Sequence, residues 1–132
     1  MKYTIAFILL FFSTAHADWV MIDTATDPRL TFYIDPNSIK ATDSGTVSIW
    51  GLIDFDEKQG LSGEDSYYRS RLNMWEVDCK KEMVKKVTTN SYTGRMGTGL
   101  MIRSEPGKDI WLRITPREVE KKGFLVACKH PL

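Results

Sequence analysis

Between Val47 and Asp54, the positions Val47, Ile49, Gly51 and Ile53 alternate with Ser48, Trp50, Leu52 and Asp54. Apolar groups fall on both phases of that alternation. This predicts a central β-strand over Thr46–Phe55, covered on both sides near Trp50. Short runs rich in β-branched and aromatic residues predict two earlier strands, Asp18–Ile22 and Leu30–Ile34. Asp35-Pro36-Asn37-Ser38 stops the second with turn-forming residues, and Ile39 is expected to fold back onto the core. Thr42-Asp43-Ser44-Gly45 is a turn leading into the central strand, and Asp56–Asp65, which has no periodicity, reads as a polar loop.

Strand patterns resume at Ser66–Asp78 and again at about Glu82–Tyr92, with Cys79-Lys80-Lys81 between them. Two runs this close predict a long antiparallel hairpin. A glycine-rich break at Thr93–Gly99 precedes a short strand at Leu100–Arg103. Pro106-Gly107-Lys108-Asp109 is another turn, and Ile110–Ile114 is the last strand candidate.

One helix is expected. Thr115-Pro116-Arg117-Glu118 has the form of a capping box with proline at the first helical position. The helix would run from Pro116 to at least Lys122. Gly123 either ends it or is tolerated at about 1 kcal/mol relative to alanine. Phe124–Cys128 reads equally as helix or as extended chain. The fold class is α+β: a twisted antiparallel sheet of about five to six strands with one C-terminal helix packed on it.

The first residues change what the composition means. Met1–Ala17 holds one charged residue, Lys2, then the apolar run Ile5–Phe12, then Ala15-His16-Ala17. A basic start, a short apolar middle and an A-x-A exit describe a cleaved secretory signal peptide over residues 1–17. The mature domain, residues 18–132, then carries 17 acidic and 17 basic residues and no net charge. That balance argues against a nucleic-acid binder. The mature chain has no apolar run long enough for a transmembrane helix. No cysteine follows the leader to accept a lipid, so the product is expected to be exported and periplasmic or secreted.

Export also decides how the cysteines read. The mature chain has two, Cys79 and Cys128. In an oxidising compartment the simplest reading is a disulfide, with free or redox thiols as the alternative. Such a bond would close a loop of about fifty residues and stabilise the domain by roughly 4 kcal/mol in the chain-entropy model. It would also remove both thiols as ligands and nucleophiles. The one mature histidine, His130, lies beside the C-terminus. A zinc site and a histidine-dependent triad are therefore not expected.

Other candidate chemistry is weighed against plainer readings. Asp54, Asp56, Glu57, Glu64 and Asp65 offer carboxylates for calcium, but Gly60 stands in the wrong place for an EF-hand loop. A solvated polar loop is the favoured reading. Gly94-Arg95-Met96-Gly97-Thr98-Gly99 lacks the strand-before, helix-after context of a phosphate loop and reads as turn glycines. Ser70, Glu76 and Asp78 have no partner of the type that nucleophilic or acid–base catalysis needs, so no catalytic residue and no cofactor is assigned. The clearest electrostatic feature is basic: Lys80, Lys81, Lys85 and Lys86 against Glu82 give a charge of +3 in seven residues. They form a candidate partner-binding patch, with a hairpin charged against edge-to-edge pairing as the alternative.

Several landmarks follow one another in a recognisable order: Trp19; Tyr33-Ile34-Asp35-Pro36-x-Ser38-Ile39; Val47-x-Ile49-Trp50-x-Leu52-x-Asp54-Phe55; Tyr68-Arg69-Ser70; Glu76-Val77-Asp78-Cys79; Gly97-x-Gly99; Trp111; Pro116; and Val126-x-Cys128. The set resembles the surface-adhesin E-like family of Gram-negative bacteria over roughly Trp19 to Cys128. The resemblance implies a twisted antiparallel sheet packed on one helix, with a disulfide near the C-terminus. It also implies binding of host extracellular-matrix and serum proteins; haem binding and dimers are reported within the family.

The function expected from residues and resemblance together is an exported, non-enzymatic binding module with an unidentified protein partner and a possible homodimeric state. A periplasmic enzyme inhibitor or an accessory subunit of an envelope complex is the alternative. A hydrolase working with carboxylates alone is a third class.

Overall fold

A computed structural model of the chain describes residues 18–63, 65–115 and 119–129. Eight strands and one helix are found among them: β1 (Val20–Ala25), β2 (Leu30–Ile34), β3 (Lys40–Ala41), β4 (Val47–Gly60), β5 (Tyr67–Asp78), β6 (Met83–Tyr92), β7 (Met101–Pro106), β8 (Leu112–Arg113) and α1 (Lys121–Lys129). The sheet is antiparallel, with spatial order β1-β2-β4-β5-β6-β7; the two-residue strands β3 and β8 pair with β4 and β6. The expected fold class is the observed one. The expected disulfide between Cys79 and Cys128 is present, with their Cα atoms 5.6 Å apart.

Register assigns side chains to faces. Ile34 pairs with Gly51, Gly51 with Asn73, Ile49 with Trp75, and Val77 with Val84. These residues share one face, and α1 lays Phe124 and Ala127 on its apolar part with Phe32, Ile34, Ile49, Val77 and Val84. The Trp75 and Phe124 rings meet edge to face, 5.3 Å between centroids. Cys128 ties the end of this helix to Cys79 at the β5–β6 turn, so the disulfide clamps the helix over the sheet.

The opposite face carries Leu52, Asp54, Ser70 and Leu72, and the segment between β6 and β7 folds down on them. The strand reading of Thr46–Phe55 as covered on both sides therefore holds, with a helix on one face and a glycine-rich loop on the other. Ile39 is buried after the short 3-10 turn Pro36–Ser38, where the Asp35 carboxylate accepts the Asn37 N–H.

Several boundaries move. The expected loop Asp56–Asp65 is mostly strand, because β4 continues to Gly60 and pairs Gln59 with Tyr68 and Gly60 with Tyr67. A register irregularity between Asp54 and Gln59 erases the alternation there, and long-range pairing outweighs the polar composition. β1 runs to Ala25 rather than Ile22, drawn on by pairing with Leu30. The last two strand candidates shift to Met101–Pro106 and Leu112–Arg113.

The helix begins at Lys121, not Pro116. Val119 and Glu120 form a turn, and Pro116–Glu118 lie outside the described residues. Phe124–Cys128 is helical, the option the sequence left open. Gly123 is inside the helix for a packing reason: a Cβ there would lie 2.8 Å from Phe32 Cε1 and 2.9 Å from Ile34 Cγ2. Its hydrogen lets the helix backbone approach the sheet.

Candidate functional site

The basic stretch does not stay together when it folds. Lys80 and Lys81 sit in the β5–β6 turn, whose shape is set by Asp78 Oδ1 accepting the Lys80 N–H at 3.1 Å and the Lys81 N–H at 3.0 Å. Glu82 completes the turn with a φ of 53°. Lys80 and Lys81 are exposed. Lys85 and Lys86 follow in a strand, where neighbours face opposite ways. Their cross-strand partners are Glu76 and Trp75 respectively.

Lys85 is paired with carboxylates. Its Nζ lies 3.0 Å from Asp109 Oδ1, 3.4 Å from Glu76 Oε2, and 5.0 Å from the Trp111 ring centroid. The hydrogen bond to Asp109 is the main cause that raises its pKa, with Glu76 adding to it. Glu76 is held below the usual glutamate value chiefly by the Thr46 hydroxyl, which donates to it at 2.6 Å, and also by Lys85. This cluster fastens the β7–β8 connection to the sheet.

Lys86 is in a different position. Its Nζ lies 4.9 Å over the Trp75 ring. No hydrogen bond or ion pair to a described residue engages it. Lys86 is an exposed residue, yet desolvation of its ammonium group and the nearby Arg71 charge lower its pKa, and Glu120 offsets part of that. Beside it runs a groove of about 510 Å³, bounded by Arg71, Trp75, Lys86, Pro106, Ile110 and Leu112. Glu105 also lines the groove, but its carboxylate is 3.1 Å from Arg103.

The other candidates resolve into structural roles. Asp54, 4% exposed at its side chain, accepts the Met96 N–H at 2.7 Å and binds Arg95 through Nη2 at 2.7 Å and Nε at 3.0 Å. Ser70 Oγ donates to the Gly94 carbonyl at 2.6 Å and accepts the Gly97 N–H at 2.8 Å. Together they hold the glycine loop, in which Gly97 and Gly99 adopt φ of 71° and 80°. Asp54 and Ser70 thus belong to a loop anchor, a pairing that sequence reasoning missed because the residues are far apart along the chain. Asp56 lies 3.4 Å from Arg95 and 3.9 Å from Arg29. Among the described residues, no group of three or more acids, histidines or cysteines is placed to hold a metal. Glu64 and His130 lie outside the described residues.

No described helix is long and apolar enough to cross a membrane. Residues 19–129 match the family model described as surface-adhesin protein E. Solved structures of Haemophilus influenzae protein E share the fold. Its crystal form II is 19% identical with a TM-score of 0.63, covering 87% of this chain and 90% of that one. A second structure of the same protein is 18% identical with a TM-score of 0.61, covering 87% and 86%. Protein E from non-typeable Haemophilus influenzae is 19% identical with a TM-score of 0.58, covering 88% and 79%. No curated protein matches the chain.

Proposed function

The chain belongs to the surface-adhesin protein E family, and from that premise we propose that it is an exported, non-enzymatic module that binds proteins outside the cytoplasm. The observation that carries this reading is the extent of the family match, which takes in the whole sheet, α1 and both cysteines. The leader-like Met1–Ala17 supports export. Haem and metals play no part in the proposal.

The contact charge comes from Lys80, Lys81 and Lys86, while Lys85 serves the fold through Glu76 and Asp109. Contacts of exposed lysines are screened over about 8 Å at physiological salt, so binding weakens as salt rises. The test is capture by the immobilised mature chain, offered extracellular-matrix and serum proteins in parallel with a periplasmic extract. Salt-sensitive capture of matrix or serum proteins supports the proposal. A single stoichiometric periplasmic enzyme, inhibited on binding, would replace it with the inhibitor reading.

A further inference from the structure

The groove beside Lys86 has a composition that specifies its occupant more narrowly. One end is apolar, with Val84, Ile110 and Leu112 along it, the last two more than half exposed. Towards the other end, the groups are hydrogen-bond donors and cations. Arg71 donates through Nε to Ser91 Oγ at 3.1 Å, and its guanidinium carbon lies 4.0 Å from the Tyr68 ring centroid. Asn73, 1% exposed and not itself part of the groove wall, lies between Arg71 and Trp75 on the same face of β5. Its Oδ1 accepts from Thr89 at 2.8 Å, whereas its Nδ2 and the Trp75 Nε1 have no partner among the described residues.

Charge decides the sign of the ligand. Arg71, Lys86 and Lys108 border the groove, and its one acid, Glu105, is already engaged by Arg103. Arg71 and Lys86 repel one another across the groove, and Glu120 offsets part of that repulsion. An anion seated there would relieve that repulsion, and guanidinium binds carboxylates with fixed geometry. From Val84 to Thr89 the groove follows β6 for about 17 Å, the reach of roughly five extended residues.

We propose that this groove binds an extended acidic peptide segment, seating a carboxylate at Arg71 and Lys86 and a neighbouring apolar side chain against Val84, Ile110 and Leu112. The proposal rests on the protein-binding reading above and names the chemistry of what is bound.

The probe is an end-blocked pentapeptide alternating leucine and glutamate, titrated into the mature disulfide-bonded chain and followed by NMR. The Trp75 indole N–H resonance, assigned with Trp75→Phe, reports on the groove. Saturable shifts of that resonance are expected, with affinity at least tenfold weaker for the glutamine version of the peptide. Arg71→Gln/Lys86→Gln should lose binding by at least tenfold, while Lys80→Gln/Lys81→Gln stays within twofold. Equal binding of the glutamine peptide overturns the proposal, as does wild-type affinity in the groove variant. So does dodecanoate binding where the peptide does not, which would make this a fatty-anion site. The two readings fail separately: if the groove variant still captures a matrix or serum protein at full strength, the groove proposal falls and the module reading stands.

Discussion

Lys85 and Lys86 are consecutive in the chain and face opposite sides of the sheet, one held by Glu76 and Asp109, the other lying over the Trp75 indole without a carboxylate in contact. Strand geometry alone makes this division. It separates a lysine that secures the β7–β8 connection from a lysine available to a ligand. Lys85→Gln should therefore loosen residues 107–111, while Lys86→Gln should leave them unchanged. Amide hydrogen exchange of that segment checks it; equal effects of the two variants would contradict the division.

The disulfide fastens α1 to the β5–β6 turn. Its removal in Cys79→Ala/Cys128→Ala should lower stability by about 2–4 kcal/mol. Urea unfolding of oxidised wild type and variant measures the difference. Thiol labelling of mature protein purified without reductant should find no free sulfhydryl.

Gly123 sets two effects against each other. Alanine would raise helix propensity by about 1 kcal/mol. Its Cβ, however, would press on Phe32 and Ile34, both 1% exposed and unable to move aside. Overpacking costs about 1–3 kcal/mol. Gly123→Ala should therefore destabilise the domain by about 1 kcal/mol net, read as a lower thermal midpoint; a rise would show that the helix can back away from the sheet.

Asp54 joins Arg95 and the Met96 N–H across the face opposite α1. Arg95 is half exposed, which weakens the pair relative to a fully buried one. Asp54→Ala should cost about 2 kcal/mol and speed hydrogen exchange at Met96 and Gly97. Ser70→Ala should speed exchange at Gly97 in particular, since its hydroxyl accepts that N–H.

Acid should weaken the fold through Glu76. Its folded pKa lies below the ordinary value of 4.5, for which the Thr46 hydroxyl is the leading cause. Its stabilisation is thus fully present above that ordinary value and is lost as pH falls through the folded one. Glu76→Gln should flatten the stability profile below about pH 5. An unchanged acid slope would contradict this role.

Much of the architecture is legible from local pattern. Leu30–Ile34, the long hairpin with its turn at Cys79–Lys81, and the disulfide follow from alternation, turn residues and a single cysteine pair. What escapes is set by distant partners. Asp56–Gly60 is strand only because Tyr67 and Tyr68 lie alongside. Phe124–Cys128, left open by the sequence, is helical because Phe124 and Ala127 then reach the core beside Phe32 and Ile34. The basic run looks continuous in sequence, whereas the hairpin deals its members to a turn and two faces. The groove unites Arg71, Trp75 and Lys86 through β5–β6 register with a wall running from the end of β7 to β8, and no local pattern contains that combination.

Surface plasmon resonance of the mature, oxidised chain over immobilised extracellular-matrix and serum proteins, run at low and at physiological ionic strength, tests the recognition assignment most directly. Saturable binding to at least one of them is predicted, weaker at the higher salt and weaker again in Lys80→Gln/Lys81→Gln/Lys86→Gln. Absence of binding to all of them, from protein whose fold and disulfide are verified intact, would contradict it.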